Sequence, residues 1–385
     1  MKNSIMRVFI LGSMVGLLLI GCETRQPVAT KPKQLVPSML PASSVEQVPR
    51  QLPASPMRAP WIDTGDTSAT RRLISLDGQR WLVRTAALPD SARQLSFPVP
   101  ADKENHLAAY TEKGADVQYT FQLLGPQGQL RFITQLHKAD FARVVYGSLR
   151  TVARAAPPVF LAYWSARRAL IFETNFVRED TDEGLSILLL LDPVTGKVLH
   201  LSPGKEYMGS CDCWPTLTPD GQTLLTGKEI LHATGQVFSL AQPQRAVAGT
   251  RILSDSTFLV AYEGDNPEQA NNAHLVNRNG QVKRRFTFHG TDSGMSGGGY
   301  SLAEALLPTT GTQYLWDGAA QLLTLVPVHQ PAALRQIPAA QLVPFRAPQR
   351  PSERKLAFDY NDMPSSVLYV DTLTQQLRCT IIKTE

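Results

Sequence analysis

The chain has 385 residues, a formal charge of +5 and only four cysteines. Its length allows one large or two smaller globular units, and its cysteine content excludes a disulfide-scaffolded miniprotein. Lys2 and Arg7 supply +2 of the charge and residues 23–60 another +3, so residues 61–385 sum to zero. A neutral body excludes a nucleic-acid partner, because phosphate-backbone binding needs clustered positive charge.

In chain order, the first element is a secretory signal. Lys2 and Arg7 precede an apolar core from Val8 to Ile20, about 13 residues where a spanning helix needs roughly 20. The sequence Leu19-Ile20-Gly21-Cys22 then ends that core on a cysteine and turns polar at once. It resembles the bacterial lipobox, in which the cysteine thiol receives diacylglycerol before cleavage. The resemblance implies a signal peptide over 1–21, Cys22 as the lipidated mature N-terminus, and a partner in the membrane itself, since two or three acyl chains hold where one is marginal. The implied location is the bacterial cell envelope, lipid-anchored and periplasmic or outer-membrane associated.

Residues 22–60 follow with eight prolines, at 27, 32, 37, 41, 49, 53, 56 and 60, and no hydrophobic period. This composition predicts an extended tether able to span on the order of 100 Å at about 3.1 Å per residue.

From residue 61 the pattern changes to short strands broken by turns, with no long helical period, which predicts an all-β domain over 61–385. The segment WPTLTPDGQTLL, Trp214 to Leu225, sets a Pro-Asp-Gly turn before an apolar strand. It resembles the repeat of the Tol-type β-propellers, with Thr218 where that repeat has serine. Weaker copies are PADKENHLAAY from Pro100, WSARRALIF from Trp164, LSDSTFLVAY from Leu253, LPTTGTQYLW from Leu307 and PSERKLAF from Pro351. Leu107, Leu170, Leu224, Leu259, Tyr314 and Leu356 mark the six copies, and each is followed by a hairpin signature. Those hairpins are GPQGQLRFITQL from Gly125, DPVTGKVLHL from Asp192, HATGQVFSL from His232, NRNGQVKRRFTF from Asn277, DGAAQLLTL from Asp317 and DTLTQQLRCTII from Asp371. Gly or Asn in such short connections supplies the positive φ that a tight hairpin needs. Six pairs predict a six-bladed β-propeller; a further hairpin, Arg71 to Arg84, either closes the ring or makes a seventh blade. A pair of β-sandwiches would give similar hairpins.

Motifs that could carry chemistry weigh less. Gly294-Met295-Ser296-Gly297-Gly298 fits the G-x-S-x-G nucleophile elbow, but an elbow needs a strand before it and a helix after it, and no α/β segment is left to supply them. Ser296 is therefore read as part of a glycine-rich loop, and no catalytic residue is assigned. Cys211-Asp212-Cys213 lacks the second ligand pair of a zinc site, and the seven histidines are scattered, so no metal and no cofactor is assigned. The acidic stretch Arg178 to Gly184 lacks the spacing of a calcium loop and reads as a solvated connection. Trp164, Trp214 and Trp316 recur at related positions, where packing between blades explains them before ligand stacking does. After lipidation three cysteines remain: Cys379 alternates with Leu377 and Ile381 and is expected to be a buried free thiol, and any disulfide is the short Cys211–Cys213 loop. These readings together describe a non-catalytic binding or assembly module for a protein or glycan partner, with ligand residues unassigned. The alternative is a propeller enzyme, a hydrolase or lyase on envelope polymers, with a loop-built site at the central channel. A convergence of carboxylate, His and Arg at one mouth would favour the enzyme.

Overall fold

The computed structural model describes residues 69–102, 106–179, 181, 183–206, 211, 213–243, 245–263, 271–292, 300–360 and 363–381. Cys22, the tether and the Gly294–Gly298 motif with Ser296 lie outside the described residues. The fold is all-β, with six four-stranded sheets in chain order among the described residues.

The first sheet is Ala69–Leu76, Gln79–Val99, Tyr110–Leu124 and Leu130–His137; the second is Val159–Trp164, Ala169–Val177, Gly184–Leu191 and Val198–Glu206. The third, of very short strands, is Thr216–Leu217, Thr223–Leu225, Glu229–His232 and Val237–Ser239. Val247–Ser254, Thr257–Tyr262, Ala273–Asn277 and Val282–Phe286 make the fourth, and Ala303–Leu307, Thr312–Asp317, Leu322–Pro327 and Arg335–Pro338 the fifth. In these five sheets sequential strands pair antiparallel. The sixth has Glu353–Tyr360, Met363–Asp371 and Leu377–Ile381, and completes itself with Val343–Pro344 paired parallel to the last strand.

Sheets pack face to face because successive side chains on a strand point to opposite faces. In Gly184–Leu191, buried throughout, Leu185, Ile187, Leu189 and Leu191 join a core shared with the first sheet. Leu188 and Leu190 instead join a core shared with the third sheet. The fourth sheet repeats the division: Phe258, Val260 and Tyr262 pack toward the third sheet, and Leu259 and Ala261 toward the fifth. Tyr314 and Trp316 carry the fifth sheet onto the sixth, with Phe358, Leu368 and Cys379. Five buried clusters thus join the six sheets in sequence, an arrangement consistent with a β-propeller. Among the described residues, none of these clusters joins the sixth sheet to the first.

Three sequence expectations are corrected. Leu107 marks no blade strand; it forms an isolated bridge with Asp102 and is 57% exposed. The first two strands of that sheet are instead the Arg71–Arg84 hairpin, so this hairpin belongs to the same unit as the Gly125 hairpin and makes no seventh sheet. The displacement arises because Gln79–Val99 and Tyr110–Leu124 remain paired far beyond the sheet, from Leu82–Leu124 out to Val99–Tyr110. Finally, the Asp317 and Asp371 hairpins join the second strand to the third, whereas the Asp192, His232 and Asn277 hairpins join the third to the fourth.

Candidate functional site at the turn end of the second and third sheets

The first-to-second and third-to-fourth strand turns of an antiparallel meander emerge at the same end of a sheet. At this end the second sheet presents Ser165–Arg168 and Asp192–Lys197, and the third presents Thr218–Gln222 and Ala233–Gln236. Each turn is closed by its own sequence. The Asp192 carboxylate accepts the N–H groups of Val194 at 2.8 Å and Thr195 at 2.7 Å, and Gly196 adopts φ +71°, where a β-carbon is disfavoured. Burial works to raise the Asp192 pKa, but the Thr195 and Val194 hydrogen bonds overcome it and hold the carboxyl below its usual value. In the Pro-Asp-Gly turn, the Thr218 hydroxyl donates to Asp220 Oδ1 at 2.7 Å, as does the Gln222 N–H at 3.0 Å. The Thr218 hydroxyl, on a buried residue, thereby closes the turn.

The turns of adjacent sheets are tied together. Trp164, fully buried, donates its indole N–H to Gly221 O at 2.6 Å. Arg167 lies over the Trp164 ring, 5.6 Å from its centroid, and donates to His232 O at 3.2 Å. On the other side of the third sheet, His232 Nε2 donates to Arg278 O at 2.9 Å. Arg278 is ion-paired with Asp220 and hydrogen-bonded to Asp255 O, and Asp255 Oδ1 accepts the Asp220 N–H at 2.9 Å. Asp220, His232, Asp255 and Arg278 are therefore engaged in joining the third sheet to the fourth.

Between the second and third sheets the same end opens into a cleft of about 340 Å³. Pro193, Val194, Leu199 and Ala233 give it an apolar wall, and Arg167, Arg168 and Asp192 its charge. Such a lining has the chemistry to complement a polar group carried on an apolar body. The sequence alone does not distinguish either arginine, since Arg167-Arg168 falls in a short turn between two strands.

A second titratable cluster lies on the first sheet. Asp116 Oδ1 accepts the N–H groups of Val117 at 2.8 Å and Lys138 at 3.1 Å, and Oδ2 is 3.0 Å from His137 Nδ1. The buried Lys138 Nζ donates to Ala115 O at 2.8 Å and Thr151 O at 3.2 Å. Desolvation pulls Lys138 down to about 8 against the opposing charge of Asp116. The cluster fastens the helix Gly147–Val152 to Tyr110–Leu124. Gly114 permits that approach: a β-carbon there would stand 2.1 Å from Thr151 O.

The remaining sequence candidates divide. Cys211 and Cys213 are joined as a disulfide and Cys379 is free and buried, both as expected. Burial pushes the Cys379 thiol up to about 11, so little thiolate exists near neutral pH. Trp164 and Trp316 are packing residues, but Trp214 is 60% exposed and departs from that reading. In the acidic stretch, Arg178 pairs with Glu183 at 3.0 Å and with Glu112. Among the described residues no group of three or more His, Cys, Asp or Glu is placed to hold a metal ion.

No family model matches the chain, and no curated protein does. Among solved structures, an oligogalacturonate lyase in complex with manganese is similar over 80% of this chain and 83% of its own, at 11% identity and a TM-score of 0.30. Apo AztD from Citrobacter koseri is similar over 79% of this chain and 81% of its own, at 10% identity and a TM-score of 0.29. The rhamnogalacturonan lyase YesW is similar over 82% of this chain but 64% of its own, at 10% identity and a TM-score of 0.32.

Proposed function

We propose that the protein is a lipid-anchored binding module of the bacterial cell envelope. Cys22 carries the acyl chains, residues 22–60 form the tether, and residues 61–385 close into a six-bladed propeller that receives a protein or glycan partner at its turn end. The observation that carries this reading is the division of labour at that end. Asp220 and Arg278 form an ion pair there, the Asp255 carboxylate accepts the Asp220 N–H and the His232 imidazole donates to Arg278 O, while the neighbouring cleft offers an apolar wall to a ligand. Groups committed to structure in this way support binding over a hydrolase or lyase site.

The experiment has two arms. A photo-crosslinking residue at Val194, in the cleft, is expected to trap a discrete partner in growing cells, whereas the same probe at Leu373, 82% exposed on a turn of the sixth sheet, does not. In parallel, Cys22→Ser is expected to leave unprocessed protein without lipid. Equal labelling from both probe positions would overturn the site, and maturation of the Cys22→Ser chain to the same lipid-bearing mass would overturn the anchor.

A further inference from the structure

We infer that the cleft between the second and third sheets binds a carboxylate carried on an apolar body, with Arg167 and Arg168 on the carboxylate and Pro193, Val194, Leu199 and Ala233 on the body. The inference rests on the binding reading above and names its ligand class.

Arg167 is the centre of the argument. Its guanidinium is half-buried, stacked on Trp164 and held by one hydrogen bond to His232 O. Yet no carboxylate lies within ion-pair distance of it among the described residues. At the same end Arg278 has a counter-charge, Asp220. Burial pushes the Arg167 guanidinium below its usual value, and no neighbouring acid offsets that push. A desolvated cation without a counter-ion is unfavourable in isolation and is relieved when an anion arrives. Arg167 and Gly235 line the same cleft, and a β-carbon at Gly235 would stand 3.9 Å from Arg167 Nη2. The fork of donors on a guanidinium matches a carboxylate in two parallel hydrogen bonds.

Charge balance narrows the ligand. Arg167 and Arg168 line the cleft with Asp192 beside them, and the Arg168 charge already helps hold Asp192 ionised. The lining side chains thus carry one positive charge in excess, which a monoanion neutralises and a dianion leaves with an uncompensated negative charge. The apolar wall sets the remainder. Val194 and Leu199 are 41% and 36% exposed, so a branched aliphatic group laid over them gains burial, whereas a hydroxylated sugar ring does not. A free branched acid and the C-terminal residue of a peptide share this chemistry.

The test is calorimetric titration of the mature full chain in nanodiscs with 4-methylpentanoate, N-acetyl-leucine, 4-methylpentanol, glucuronate and inorganic phosphate. We expect saturable binding of the first two at one site. Tighter N-acetyl-leucine points to a peptide terminus, and tighter 4-methylpentanoate to a free acid. Arg167→Met should weaken binding about tenfold or more, as loss of charged hydrogen bonds does, and Arg167→Lys should fall between, keeping charge without the fork. Leu199→Asp, a substitution on an exposed side chain, should abolish binding without touching the Trp164 contact. The inference is overturned if neither acid binds saturably, if phosphate or glucuronate binds more tightly than both, or if Leu199→Asp and Arg167→Met fold and bind unchanged. Should neither acid bind while crosslinking from Val194 persists, the ligand class alone falls; should crosslinking also vanish, the binding reading falls with it.

Discussion

The third sheet has two junctions, and they are built differently. Toward the second sheet, Leu224 and Leu231 pack with the fully buried Trp164, Ile171, Leu188 and Leu190. Toward the fourth, Leu225 and Ile230 pack with Phe258 and Val260, and the turn end is closed by the Arg278–Asp220 pair, each side chain 31% exposed. Strands of two to four residues cannot bury a core of their own. The sheet persists because adjacent residues, Leu224 against Leu225 and Leu231 against Ile230, send their side chains to opposite neighbours. One junction is centred on a fully buried indole that hydrogen-bonds the neighbouring turn, and the other adds a partly exposed charge pair to its buried contacts.

The largest expected effect is at Trp164. Trp164→Ala removes a fully buried indole and leaves Gly221 O without its donor, which should cost about 3–5 kcal/mol in denaturant unfolding. Trp164→Phe keeps the ring volume better and should cost less. If Trp164→Ala costs under about 1 kcal/mol, the junction with the second sheet is not where the third sheet gains its stability.

A double-mutant cycle sharpens the same comparison. Leu224→Ala and Leu225→Ala should each cost about 2–5 kcal/mol, since both are 1% exposed. Only Leu224 shares a cluster with Trp164. The Trp164–Leu224 cycle should therefore show coupling of about 0.5–3 kcal/mol, and the Trp164–Leu225 cycle should close to within about 0.5 kcal/mol. Equal coupling in both cycles would mean that the third sheet responds as one body and that its two faces are not separate junctions.

These junctions also show what a sequence can disclose. The Pro-Asp-Gly turn and the Asp192 and Asn277 hairpins were legible because their signals are local: a capping Asp or Asn and a glycine at positive φ, as at Gly196, Gly221 and Gly280. Sheet order followed from hairpin order. Leu107 misled because its segment has turn chemistry, while the pairing that outruns the first sheet depends on contacts from Leu82 to Leu124 that no local pattern records. The parallel strand Val343–Pro344 was invisible for the same reason, lying far in sequence from its partner Leu377–Ile381. The cleft was the least legible feature. Arg167 is noteworthy through its half-burial, its contact with the Trp164 ring, its hydrogen bond to His232 O of the third sheet and its missing counter-charge, and of these only the ring contact lies near it in sequence.

The smallest effects concern the charged junction, and they separate its ion pair from its hydroxyl. Arg278→Met should cost at most about 1 kcal/mol, a difference that shrinks as salt rises, because half-exposed pairs are screened. The pH dependence isolates what remains. Asp220 is lowered to about 2, first by the Thr218 hydroxyl, then by the Gln222 N–H, with Arg278 contributing less. An unfolded aspartate titrates near about 3.9. Because the folded value is depressed, the Asp220 contribution is fully present above about pH 4 and is lost as pH falls toward 2. Thr218→Val should therefore flatten the loss of stability between those pH values more than Arg278→Met does, when both are followed by denaturant midpoints at stepped pH and constant ionic strength. A larger flattening from Arg278→Met would show that the ion pair, and not the turn's own hydroxyl, holds Asp220 ionised. The charge pair would then rank with Trp164 as a source of strength in joining the third sheet to its neighbours, and the contrast between the two junctions would lose its physical basis.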